Sequence, residues 1–233
     1  MSLAPRGDGH TVIVLPGLGG SDRSTAVLRR YLSSMGFDAR SWGLGRNLGP
    51  RMASLPERLA KMFEDAVAES DGRSISLVGW SLGGVYARLL AQYYPEQTRQ
   101  VITLGSPFNG DPSSVTVYPI ARRVLPLQEE TITNLRLLAG QRLSVPNSNV
   151  FSRFDSIVPW QMATEMPDDR TENIEVYAGH LSLGLSPAVL YAIADRLAQA
   201  ENAWQPFHRQ GWRLGVYGPA RLDVDTDLTP EVS

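Results

Sequence analysis

Short apolar runs, each ended by glycine or proline, alternate along this chain with stretches whose apolar residues recur at helical spacing. Residues 10–15 (His-Thr-Val-Ile-Val-Leu) form the first run and stop at Pro16-Gly17. Unbroken apolarity predicts a parallel strand buried on both faces. Residues 18–22 read as a flexible loop. Val27, Leu28, Tyr31, Leu32 and Met35 then share one face of a helix that Asp22 or Ser24 can cap and Gly36 ends. Residues 37–42 predict the next strand, and the glycines and proline of 43–50 a loop. Residues 55–68 predict a helix, with Leu59, Met62, Phe63, Ala66 and Val67 inward. A strand over 74–79, a helix over 85–94 ended by Pro95, and a strand over 100–104 follow.

Residues 108–146 break this rhythm. They mix glycine, proline and serine with Val115, Val117, Tyr118, Ile120, Val124, Leu125 and Leu127, followed by a helix over about 128–139. An insertion here, above the strand ends, reads as a lid; the plainer alternative is a crossover helix with a long loop. Strands over 149–152 and 173–177 come next. Pro187 then opens a helix at its first position, where the missing N–H costs nothing, and the helix runs to about residue 199 with Val189, Leu190, Ile193, Ala194 and Leu197 inward. In the extension over 201–233, Trp204, Phe207 and Trp212 predict packing on the body, and the acidic end from 223 is expected to fray. The alternation of strand and helix predicts a single α/β domain over residues 1–233. Its mostly parallel sheet is covered on both faces, with ligands at the carboxyl ends of the strands.

Composition narrows the partners. The 233 residues are 42% hydrophobic and 20% charged, an ordinary globular mix able to bury a sizeable core. With 22 basic and 24 acidic residues no basic face stands out, which argues against nucleic acid. The lack of cysteine excludes disulfides, thiolate zinc sites and a cysteine nucleophile. No apolar run approaches the ~20 residues of a membrane span. Residues 1–10 are polar, without the apolar core of a signal peptide, so the cytoplasm is the default location.

The chemistry gathers around Gly79-Trp80-Ser81-Leu82-Gly83. A strand before this motif and a helix after it match the context of a G-x-S-x-G nucleophile elbow. Gly79 and Gly83 suit a turn too sharp for side chains, and the turn lifts the Ser81 hydroxyl above the sheet edge with a helix N-terminus beneath it. A serine hydroxyl needs a general base, and the base needs an orienting group. The chain has three histidines. His10 starts a strand, on the wrong side of the sheet, and His208 lies in the extension. His180 directly follows a strand, on the edge that carries Ser81. Among the acids between Ser81 and His180 (Asp111, Glu129, Glu130, Asp155, Glu165, Asp168, Asp169, Glu172 and Glu175), Asp155 directly follows an apolar strand and precedes a turn. Asp155 is the expected orienting acid, its plainer reading being a turn or helix cap; Asp168 and Asp169 read as a solvated turn. Developing oxyanion charge needs backbone donors, expected from Leu82 and from Leu18 in the Gly17-Leu18-Gly19 loop. That loop carries neither G-x-x-x-x-G-K-[ST] nor G-x-G-x-x-G, which disfavours phosphate binding.

These pieces together resemble an α/β-hydrolase, most of all the small bacterial lipase and esterase branch. The resemblance rests on Val14-Leu15-Pro16-Gly17-Leu18-Gly19-Gly20-Ser21, Leu77-Val78-Gly79-Trp80-Ser81-Leu82-Gly83-Gly84, Thr103-Leu104-Gly105-Ser106-Pro107, Ser152-Arg153-Phe154-Asp155-Ser156-Ile157-Val158-Pro159 and Gly179-His180. It spans about residues 10–200 and is specific to the superfamily, not to a substrate. It implies Ser81, Asp155 and His180 as a triad, an acyl-enzyme and a lid over an acyl pocket; no cofactor or metal is expected. Leu18 and Leu82 would be the oxyanion donors, with Gly17, Trp80 and Pro107 lining the substrate. The chain starts at what would be the family's third strand, so about six strands are expected. Pro16-Gly17 departs from the His-Gly common in this branch, and no calcium-ligand cluster follows His180. Arg46, in the glycine-rich loop, either contacts substrate or pins that loop. The expected activity is hydrolysis of a small-molecule or lipid ester. Acyl transfer to an alcohol would use the same residues, and a binding protein without turnover is the reading from another class.

Overall fold

The computed structural model describes residues 4–110, 116 and 137–222. The strands are β1 (Thr11–Leu15), β2 (Asp38–Ser41), β3 (Ile75–Trp80), β4 (Thr98–Leu104), β5 (Asn147–Phe151) and β6 (Thr171–Glu175). They form one parallel sheet in the order β2-β1-β3-β4-β5-β6. The helices between and after them include α1 (Ala26–Ser34), α2 (Leu55–Ala68), α3 (Leu82–Tyr93) and α4 (Pro187–Leu197).

The apolarity of β1 has its reason in the two cores. Val12 and Val14 of β1 pack with Leu28 and Leu32 of α1 and with Val189, Ile193 and Leu197 of α4. Ile13 and Leu15 point the other way, into a cluster with Leu59 and Phe63 of α2 and Tyr86 and Leu90 of α3. Each β1 residue is inside whichever way its side chain points, whereas the edge strand β2 is exposed to half-buried. Crossing helices on both faces leave the carboxyl ends of the strands free for loops.

Several local details differ from the sequence-based expectation. Ser24 does not cap α1: its hydroxyl donates to Ser21 O at 2.6 Å and accepts from Ser21 N–H at 3.1 Å, closing the preceding loop instead. Val27 is half exposed, because Leu28 and Leu32 set the buried face of α1. β5 begins at Asn147, where hydrophobicity gave no sign of a strand. Its polar residues are buried against their neighbours: Asn147 Nδ2 donates to Thr171 Oγ1 (2.9 Å), Ser148 Oγ to Glu172 Oε1 (2.6 Å), and Thr103 Oγ1 to Asn149 Oδ1 (2.9 Å). The expected lid and the helix over 128–139 lie largely outside the described residues, as do 223–233; residues 137–139 are helical. The extension packs back as expected, Tyr217 bridging Val176 in antiparallel fashion and donating its hydroxyl to Ala188 O at 2.7 Å. No described helix is long and apolar enough to cross a membrane.

At the amino ends of the strands, His10 is fully buried. Its Nδ1 lies 2.6 Å from Asp8 Oδ1 and its Nε2 lies 2.9 Å from Ser76 Oγ. The carboxylate only accepts, so Nδ1 carries the proton and Nε2 accepts from the Ser76 hydroxyl. Burial pushes the His10 pKa down, and the nearby charges of Arg99 and Arg73 add to this; the bond and charge of Asp8 oppose it without cancelling it. Burial also pushes Asp8 up, but bonds from His10 and Arg99 outweigh it and hold that carboxyl well below its usual range. For His10 the unfolded chain takes up the proton first on acidification. Its contribution is therefore present above the ordinary histidine value of about 6.5 and lost as pH falls below it. The urea midpoint is expected to fall between pH 7.5 and pH 5, and His10→Gln to flatten that fall; equal slopes in both proteins would remove His10 as its source.

Candidate active site

The turn between β3 and α3 carries Ser81 at φ 54°, ψ −123°, a conformation side-chain-bearing residues rarely adopt. Contact between strand and helix enforces it. A β-carbon on Gly79 would overlap Cα of Gly84, and one on Gly83 would overlap the carbonyl oxygen of Leu15. Backbone bonds then lock the turn: Ser81 N–H donates to Leu104 O at 2.8 Å, and Gly84 N–H to Ser81 O at 2.9 Å. Such strain persists only where the surroundings over-determine it. Ser81 is half-buried, and its hydroxyl makes no hydrogen bond among the described residues.

Asp155 and His180 come together from the ends of β5 and β6. His180 Nδ1 lies 2.6 Å from Asp155 Oδ2, with both side chains nearly inaccessible to solvent. The carboxylate is an acceptor, so Nδ1 holds the proton and Nε2 keeps its lone pair. Asp155 Oδ1 accepts from the N–H groups of Ile157 (2.9 Å) and Val158 (2.8 Å). The turn-capping role and the imidazole contact thus belong to the two oxygens of one carboxylate. No hydrogen bond joins Ser81 Oγ to His180 Nε2 among the described residues. Two neighbours of Ser81 tie its turn to the pair. Trp80 Nε1 donates to His180 O at 3.2 Å. Gly105 follows Leu104, and a β-carbon there would lie 2.9 Å from Asp155 Oδ2 and 3.2 Å from His180 Nδ1.

The loop after β1 faces the same turn. A β-carbon on Gly17 would lie 3.0 Å from Ser81 Cβ. Leu82 is the first residue of α3, so its N–H has no intrahelical acceptor. Around Leu18 the backbone is pinned. Arg46 Nε donates to Gly19 O at 2.9 Å, Gly19 N–H to Asn47 O at 2.7 Å, and Asn47 N–H to Gly20 O at 2.8 Å. Buried Asn47 also donates Nδ2 to Pro16 O at 2.8 Å and accepts from Gly49 N–H. Arg46 thus ties its glycine-rich loop to the loop after β1. Asn47 was not singled out in the sequence; an asparagine among glycines reads as an ordinary loop residue, and only its burial marks it. Pro107 is half-buried after Gly105 and Ser106. His10 sits at the other end of the sheet, and His208 is exposed in the extension.

Residues 9–209 match the family Hydrolase_4, described as serine aminopeptidase, S33. The chain is 27% identical over 141 residues to the serine hydrolase BPHL of Mus musculus, covering 56% of this chain and 47% of that protein. The human protein of the same name is 28% identical over the same length. The chain thus spans about half the length of these curated relatives. Its fold is similar to that of the Paleococcus ferrophilus monoacylglycerol lipase (TM-score 0.60, 17% identity, 83% of this chain and 96% of that one). It is also similar to a structure of the metagenome-derived lipolytic enzymes LipS and LipT (TM-score 0.53, 18% identity, 78% and 89%). The matched span, the six-stranded parallel sheet and the serine turn at its edge agree: this chain belongs to the serine aminopeptidase S33-like family of α/β hydrolases.

Proposed function

We propose that the protein is a serine hydrolase of carboxylic esters, working through an acyl-enzyme on Ser81. The observation that carries this is the 2.6 Å Asp155–His180 contact, at the sheet edge that holds Ser81 in its strained turn. Ser81 Oγ attacks the ester carbonyl carbon while His180 Nε2 takes the hydroxyl proton. The carbonyl π pair moves onto oxygen, and the N–H groups of Leu18 and Leu82 receive that charge, each donor contributing roughly 3 kcal/mol. Collapse re-forms the carbonyl and breaks the bond to the alcohol oxygen, which leaves with the proton from His180. Water, deprotonated by His180, then attacks the acyl-enzyme and releases acid and free Ser81. Asp155 stays ionised and stabilises the imidazolium. The open Ser81–His180 link is compatible with this, since such bonds often close only around substrate.

A small-molecule or lipid ester with an apolar part suits the mouth of this site. Leu18 and Leu181, beside the donor loop and the base, are exposed. Gly17, Trp80 and Pro107 are the proposed lining. Because the family description names an aminopeptidase, the deciding panel sets p-nitrophenyl esters from acetyl to palmitoyl beside aminoacyl p-nitroanilides. Ester turnover that Ser81→Ala abolishes is the expected result. Turnover of anilides alone would replace esters by amides, and a fully active Ser81→Ala would remove the serine mechanism.

Asp155→Asn tests the acid. The Asn carbonyl can still accept from Ile157 and Val158, so the fold is expected to stand. Its NH2 would face Nδ1 and drive the imidazole proton to Nε2, where it blocks removal of the Ser81 proton. A fall in kcat on the order of 10⁴ is expected; near-full activity would move the acid elsewhere.

The pH–rate profile should fall on the acid side, because a protonated His180 cannot accept the Ser81 proton. A rate unchanged between pH 8 and pH 4 would exclude His180 as base.

A further inference from the structure

Arg88 stands on α3 two turns beyond Ser81 and is fully buried. A buried guanidinium is tolerated only with its donors met. Nε donates to Ala139 O (2.6 Å) and Nη2 to Gln141 O (2.9 Å). Nη1 and Nη2 grip the two oxygens of Glu165, at 2.6 and 3.2 Å, and Nη1 reaches Asn147 Oδ1 at 3.5 Å. The guanidinium carbon lies 4.0 Å from the centroid of the Phe108 ring.

Two of these partners lead straight to the candidate site. Glu165 closes the loop that begins at Asp155. Phe108 belongs to the loop that begins at Gly105, the residue packed against both Asp155 and His180. Asn109 laces these two loops together, its N–H donating to Met162 O at 3.0 Å and its Nδ2 to Thr164 O at 2.5 Å. Arg88 therefore sits where the nucleophile helix, the Asp155 loop and the Gly105 loop meet. A buried ion pair is a weak source of stability compared with well-packed apolar side chains. Its planar fork does something those side chains cannot: it holds several separate segments in one geometry.

We propose that Arg88, through Glu165 and Phe108, is a positioning residue that sets where the Asp155–His180 pair stands relative to Ser81. The proposal rests on the reading of Ser81, Asp155 and His180 given above. Arg88 touches no reacting atom; it acts through the two loops.

The test is the double variant Arg88→Met/Glu165→Leu, which removes both charges together and leaves no unpaired ion in the core. Thermal midpoint, kcat, KM and the pH–rate profile would be measured on the best p-nitrophenyl ester. A midpoint near that of the wild type, with kcat lowered roughly 10- to 100-fold and the acid limb of the profile displaced, is expected for loops shifted by a fraction of an ångström to one ångström. Wild-type kcat and profile in the folded double variant would overturn the proposal and leave Arg88 a purely structural residue. If the double variant does not fold, Arg88→Lys keeps the charge beside Glu165 and loses the fork. It should show the same loss of kcat, and wild-type kinetics in it would be equally fatal. Fluorophosphonate labelling of the wild type separates the two levels. A wild type that neither labels nor hydrolyses any ester sinks the serine reading and this proposal with it. A wild type that does both, matched by its variants, sinks this proposal alone.

Discussion

Backbone-to-backbone contact between β3 and α3 is the constraint on which the rest depends. Gly79 meets Gly84, and Gly83 meets Leu15, at distances that leave no room for a side chain. The chain between them must then turn through a conformation that costs free energy at Ser81. That cost is offset by the packing of β3 between β1 and β4 and of α3 on all three. A relaxed serine would need the helix to move off the sheet, which would open the core of Tyr86, Leu90 and Phe63. The strained backbone at half-buried Ser81 is therefore a consequence of how close the layers lie.

The loops around this turn pack apolar side chains such as Phe108, Val158 and Leu183, and polar contacts fix their direction. Asn47 and Arg46 fix the loop after β1 through backbone oxygens. Trp80 and Gly105 touch the His180 segment from either side of Ser81. Asp155 uses one oxygen for its own turn and the other for His180. Hydrogen bonds specify direction where hydrophobic contact does not. A site that needs ångström placement on loops is best served by such bonds in buried surroundings.

The two ends of the sheet make an instructive comparison. Asp8, His10 and Ser76 form a linked acid–imidazole–hydroxyl set at the amino ends of the strands. There the serine is wholly buried inside a strand, without a strained turn or a neighbouring helix N-terminus. At the carboxyl ends the serine stands on a strained turn, and the Gly17 loop packs against it. The same three residue types thus stand in different surroundings at the two ends, differing in access and in backbone geometry.

Much of the architecture could be read from the order of residues alone. Apolar runs such as 11–15 and 75–79 mark strands buried on both faces, and the periodicity of α2 and α4 marks their inner sides, because burial imposes the pattern that was read. The glycine spacing around Ser81 and the position of His180 just past a strand also follow from local order. Asn47, Arg88 and Glu165 were beyond that reach, since a single polar residue in a loop or helix looks the same whether it faces water or a buried partner far away in the chain. The polar start of β5 was hidden for the same reason, its partners Thr103, Thr171 and Glu172 lying on other strands. Pattern and local geometry are properties of the sequence by itself. The pairing of distant polar groups is decided only when the tertiary structure excludes water between them.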